Sequence, residues 1–188
     1  MVKYSVKDSA KGKSMLNDII YITGQALGIV AVILGFISFQ MKTARGILLF
    51  QTITAAVFSA HYLMIGAWTA VALNSLAALQ NIVYYFRDKR GSKSIVPPVI
   101  FCVLLIASTI LTWEGLHSAL IMAGLVVLSL SLAFLDAQKI RFSMFIKSPL
   151  CLVYNIIAKS GGGIIYECTV LVSSVIGIIK EHLSKDQK

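Results

Sequence analysis

Two ionisable residues stand in stretches where water is scarce. Glu167 lies in the apolar run 164–179, and Lys147 lies two residues before Pro149 in the run 142–158. An ionised group at hydrocarbon depth costs about 2.5–3.5 kcal/mol on insertion scales, so it faces a partner or a cavity, or escapes to the interface. For Glu167 the chemistry on offer is proton or cation coupling, or contact with a cationic solute. The plainer alternative is a carboxylate near a helix N-terminus, held by the helix dipole and reaching interfacial water. For Lys147 the plainer reading, a long side chain snorkelling to headgroups, outweighs an ion pair with Glu167. By helix rise the two positions should differ by roughly 10–15 Å along the membrane normal.

Amides supply a second set of polar groups. Asn74 and Asn81 share one face of the run 68–86, with Gln80 to the side. Such amides either line a cavity or glue helices together at roughly 0.6 kcal/mol per bond. Ser173 and Ser174 would face them weakly from the run that carries Glu167. His61, Tyr62, Tyr154 and Asn155 end two apolar runs, where aromatic belts account for the tyrosines. His61 and Asn155 then either gate a cavity or bond the adjoining turn. Pro149 removes one backbone hydrogen bond and can hinge or kink its helix. The glycines of Ser160 to Gly163 offer amide protons to an anion, although a tight turn needs glycine there in any case.

No enzyme chemistry is legible. Cys102, Cys151 and Cys168 lie in apolar runs without CxxC spacing, and His61, His117 and His182 are too scattered for a metal site. Neither a nucleophile motif nor a nucleotide fingerprint occurs, and no cofactor is expected.

The elements that must position these groups follow from composition. Of the 188 residues 57% are hydrophobic and 13% charged, with mean hydropathy +0.83, whereas soluble domains carry about a quarter charged residues. This is the composition of an all-α membrane protein whose partner is the lipid bilayer. The net charge of +9 sits at the ends of apolar runs and not on one amphipathic face, which argues against nucleic acid. Seven runs approach the roughly 20 residues that a span requires. Residues 1–18 read as a mobile polar tail, 19–87 as three spans, 95–113 as a linker span opened by Pro97-Pro98, 118–180 as three more, and 181–188 as a charged tail. Gly24, Gly28 and Gly35 fall on one side of the first span, where small residues admit a neighbouring helix.

The two three-span blocks share a register. Tyr62 with Asn155, Trp68 with Gly161 and Asn74 with Glu167 are each 93 residues apart. The expected architecture is therefore 3+1+3, with parallel repeats about an axis along the membrane normal and a cavity between them. Eleven Lys and Arg residues, from Lys42 to Lys188, flank alternate spans and the C-terminus, whereas the loops on the other side carry only Lys159 and the N-terminal tail on that side carries Lys3, Lys7, Lys11 and Lys13. The C-terminus is expected in the cytoplasm.

The segment GAWTAVALN, Gly66 to Asn74, is similar to the turn and third-helix start of SWEET and SemiSWEET transporters, whose asparagine there lies in the substrate cavity. Asn74 is the matching position. More closely, HYLMIG…LN and VYNIIAKSGGGIIYE resemble segments of the YgjV-type family of bacterial inner membrane proteins, over about Gln25 to Lys180. That resemblance implies fold and location, and the distant SWEET and PnuC-type carriers imply transport. Glu167 in place of a second asparagine, and Ala56 where Pro149 has its counterpart, set the chain apart from sugar carriers. The expectation is a small-solute transporter or facilitator of the inner membrane, with Asn74, Glu167, Asn81, Ser174, His61 and Asn155 as solute-binding groups and Pro149 and Lys147 as hinge or gate. The solute is unnamed and homo-oligomerisation is left open. The alternative is a non-transporting scaffold or accessory subunit.

Overall fold

Glycines, prolines and short capping side chains cut the apolar sequence into helices. The computed structural model describes residues 2–92 and 94–186, with side chains for 15–92 and 94–183. Helix α1 (Val2–Gln40) is longer than the sequence suggests. The segment read as a polar tail continues the same helix, because lysine and alanine are good helix formers and no proline interrupts them. Only Met15–Gln40 is apolar enough to cross a membrane.

Helix α2 (Ala44–Ile65) begins at Thr43, whose Oγ1 accepts the Gly46 N–H at 3.2 Å, and ends at Gly66 in the left-handed region (φ 78°). A glycine takes that conformation without a Cβ penalty. Helix α3 (Trp68–Lys89) follows at once. Helices α4 (Val96–Leu111), with Pro97 and Pro98 in its first turn, and α5 (Leu116–Leu132) are short. At 1.5 Å per residue α4 reaches only about 24 Å. Helix α6 (Ala137–Ile157) is capped by Asp136, which accepts from the Gln138 and Lys139 amides, and α7 (Gly161–Asp186) completes the chain.

Local geometry repeats at the spacing read from the sequence. The side-chain caps Thr43 and Asp136, the helix starts Ala44 and Ala137, the left-handed residues Gly66 and Lys159, and the helix starts Trp68 and Gly161 are all 93 residues apart.

The helices pack as a ring. Helix α2 touches α1 and α3, α6 touches α5 and α7, α1 closes on α7, and α4 wedges beside the contact of α3 with α5. Across the middle, α2 and α6 meet sparsely. Closure of α1 on α7 depends on glycine: a Cβ on Gly28 would stand 2.9 Å from the Gly162 Cα, and one on Gly35 would collide with the Tyr166 ring. The first is a backbone approach of the small-xxx-small kind, and the second makes room for a ring. Ile47, Leu48, Leu73, Tyr84, Leu105, Tyr154 and Val170 are fully buried between the helices. The outward faces carry Ile29, Ile33, Leu63, Val103, Val153, Ile165 and Val172, all exposed. Among the described residues, four helices are long and apolar enough to cross a membrane, namely α1 (from Met15), α2, α6 and α7 (to Leu183). Helix α3 is diluted by its amides and terminal charges, and α4 and α5 are shorter.

Candidate functional site

Helices α6 and α7 run antiparallel on either side of Lys159. Lys147 lies twelve residues before that turn and Glu167 eight after it, so their levels differ by about 6 Å of helix rise, a gap two long side chains can close. The Lys147 ammonium donates to Glu167 Oε1 at 2.5 Å, with both side chains buried. Snorkelling is thereby corrected: Lys147 turns inward and not to the headgroups. The sequence estimate of depth failed because α7 begins at Gly161, three residues earlier than its first strongly apolar residue, which carries Glu167 deeper.

Tyr166 supports the pair. Lys147 Nζ lies 5.1 Å from its ring centroid, within cation–π range. The Tyr166 hydroxyl and the Gln51 side-chain amide lie 3.2–3.3 Å apart, and the same amide donates to Ser38 Oγ at 3.2 Å. One acceptor is left over: Glu167 Oε2 is buried with no hydrogen-bond partner among the described residues. Buried carboxylate oxygens are normally satisfied, so this atom has capacity for one more donor.

The pair borders a void of about 40 Å³ at the centre of the ring. By the volume a water-sized sphere needs, that is room for about three waters. Gln51, Thr54 and Tyr62 of α2, Asn74 and Asn81 of α3, Leu125 of α5, Lys147, Cys151 and Asn155 of α6, and Tyr166 and Glu167 of α7 all line it. Asn74 donates to its own helix at Ala70 O, 2.9 Å away, which leaves its amide oxygen available. Near the turn end the Tyr62 hydroxyl donates to Asn155 Oδ1 at 2.5 Å, and Phe58 stacks on Tyr62 with centroids 5.6 Å apart. The void is closed on that side by a bond between α2 and α6.

The other residues singled out in the sequence lie elsewhere. His61 is fully buried between α1 and the turn, with Nδ1 2.7 Å from Gly24 O and Nε2 2.7 Å from Ser160 Oγ. Because a carbonyl only accepts, the proton belongs on Nδ1 and Ser160 donates to Nε2. Ser160 Oγ also accepts the Gly163 N–H at 3.0 Å, and Gln25 Oε1 accepts the Gly162 N–H at 3.3 Å. The Gly162 and Gly163 amides are thus satisfied internally and are not offered to an anion, and the preferred reading of a turn that needs glycine is corrected too: the left-handed residue of that turn is Lys159 (φ 53°), and Gly161 to Gly163 already lie in α7. Ser174 is buried away from the void with its hydroxyl unpartnered, and Pro149 is exposed on the outer side of α6.

Gln51, Tyr166 and Cys151 were missed. A signal existed for each: a glutamine inside an apolar run, a tyrosine adjoining the buried acid, and a cysteine one helical turn past Lys147. Glu114, between α4 and α5, was not singled out from the sequence either. Its carboxylate accepts the Trp68 N–H at 2.7 Å and the Tyr154 hydroxyl at 3.2 Å, tying the starts of α3 and α5 to α6.

Faces this apolar need hydrocarbon for a solvent, and a lysine–glutamate pair at their centre needs shelter from it. Both are properties of a multi-helical membrane protein. The chain belongs to the YgjV family of bacterial inner membrane proteins, whose model matches residues 22–185. No curated protein and no solved structure matches it.

Proposed function

We propose that the protein is a small-solute transporter or facilitator in which two three-helix halves, α1–α3 and α5–α7, rock about the central void, with α4 as linker. The carrying observation is that both halves line this void and bring to it a buried ion pair, three asparagines and an unpartnered carboxylate oxygen. Intramembrane ionisable residues facing a shared cavity mark solute or ion paths. Glu167 Oε2 and the Asn74 and Asn81 amides are the recognition groups, suited to a solute that donates hydrogen bonds or carries a positive charge. Exchange of α1–α3 with α5–α7 preserves the pattern of neighbours in the ring, and the caps and left-handed turns recur at one spacing. This supports parallel repeats about an upright axis. All seven helices cross the bilayer in this reading, with the cation-rich end and the C-terminus in the cytoplasm.

At about 40 Å³ the void admits no sugar-sized solute, so it represents the occluded state, and the Tyr62–Asn155 bond is the contact that opening breaks. The small void also favours a second reading, a non-transporting scaffold or accessory subunit whose polar groups only join helices.

Native Cys151 separates the two without knowledge of the solute. With Cys102 and Cys168 changed to alanine, a small membrane-impermeant methanethiosulfonate reagent should modify Cys151 from both sides of oriented vesicles if access alternates. Lack of modification from either side, with the protein folded, refutes alternating access.

A further inference from the structure

We propose that a second site, at the cation-rich end of α3, α4 and α5, holds the phosphodiester head of an anionic phospholipid on Arg87. Three observations meet there. Arg87 is only 7% exposed, yet its Nε and Nη1 have no hydrogen-bond partner among the described residues. Its guanidinium carbon lies 5.5 Å from the centroid of the Tyr84 ring. The neighbouring acid does not serve it, since Asp88 accepts from Arg45 at 2.5 Å. A buried guanidinium without an acceptor is an expensive arrangement, and the group that relieves it is an anion.

The space around Arg87 sets the kind of anion. Arg87 borders a cavity of about 900 Å³, walled by Ile95 just before α4, by Pro98 and Val99 in its first turn, by Leu130 of α5 and by Phe134 just past it. On its other side Arg87 shares with Arg90 and Ser92 a cavity of about 390 Å³. The charged end of the larger cavity carries Asp88, held by Arg45, and Ser92 beside Arg87, and the rest of its wall is apolar, which suits a molecule with a long apolar part better than a small hydrated ion. From its mouth the exposed stripe Ile95, Val99, Val103, Ile106 and Ile110 runs along one face of α4. A molecule with a singly charged phosphate at one end and a hydrocarbon chain at the other matches both features. Basic pockets between helices at a membrane surface take lipid heads in this way.

Native mass spectrometry of the detergent-purified full chain tests this, with dioleoyl phosphatidylglycerol, dioleoyl phosphatidylcholine and inorganic phosphate as probes. Phosphatidylglycerol should persist as a one-to-one adduct and phosphatidylcholine should not. Loss of a charge-assisted hydrogen bond in Arg87→Gln should weaken retention about tenfold or more. Should that variant not fold, Val99→Trp fills the cavity from an exposed position, keeps Arg87, and should weaken retention as strongly. Phosphate alone giving the same protection against thermal unfolding would mean that the site takes the head group without its chain, which overturns the lipid assignment. Equal retention of both lipids, or of phosphatidylglycerol by both variants, overturns the site.

Discussion

Removing the charge of Glu167 while keeping its shape is the sharpest probe of the central pair. Glu167→Gln leaves the Lys147 ammonium, now 2.5 Å from the carboxylate and buried, without its counter-charge. Breaking one side of a buried pair costs about 3–5 kcal/mol. The Tyr166 ring, 5.1 Å away, makes its cation–π contact in the parent as well and so offsets none of this. A loss of about 3–5 kcal/mol is expected, which for a chain of this size lowers the unfolding midpoint by roughly 6–20 °C on the scale of soluble domains. Lys147→Met should cost a similar amount. The double variant Lys147→Met with Glu167→Gln removes both charges and should recover most of the loss, giving a coupling of at least about 2 kcal/mol. Thermal unfolding in detergent, followed through Trp68 and Trp113, reads all four proteins. Additive single effects, or a Glu167→Gln protein as stable as the parent, would refute the claim that the pair is buried and mutual.

Other consequences can be checked separately. Arg141 donates to Phe39 O at 3.2 Å, Met41 O at 2.7 Å and Glu181 at 2.9 Å, so Arg141→Gln should cost about 3 kcal/mol and free the α1–α2 corner to faster hydrogen exchange. Gly162→Val would drive a side chain into the Gly28 backbone and should abolish the monodisperse peak in size-exclusion chromatography, whereas Gly161→Ala, which meets only the end of the Gln25 side chain, should preserve it. Tyr62→Phe deletes the bond to Asn155 and should cost about 1 kcal/mol. It should also raise the rate at which Cys151 is modified. In spheroplasts, a cysteine at Lys159 should react with an impermeant maleimide and one at Arg90 should not, and the reverse pattern would invert the proposed topology.

The helix plan was legible because hydropathy, glycine turns and terminal cations are local signals. Apolar runs located all seven helices, with the largest misses at the start of α1, the start of α6 and the end of α7, where charged residues suppress hydropathy without opposing helix and the segment read as a charged tail continues α7 to Asp186. Asn74, Asn81, Asn155 and Glu167 were legible as polar exceptions in apolar surroundings, and they do line one void. Partnership was harder to read. Whether Lys147 turns to Glu167 or to the headgroups depends on where α7 starts, and three glycines there gave no hydropathic mark. Arg87 passed for an ordinary terminal cation, since nothing in its own neighbourhood of sequence reveals that Asp88 is taken by Arg45.

The Tyr62–Asn155 bond carries one more implication. The two residues are 93 apart, so in the repeat reading they are the same position in each copy, touching where the copies are related by symmetry. In a dimer of identical three-helix chains, that contact would be made by two identical side chains, because an isologous interface sets like against like on its axis. Fusion into one polypeptide removes the constraint and lets one copy keep the phenol and the other the amide. Gene duplication would here have turned a self-facing residue into a matched donor and acceptor.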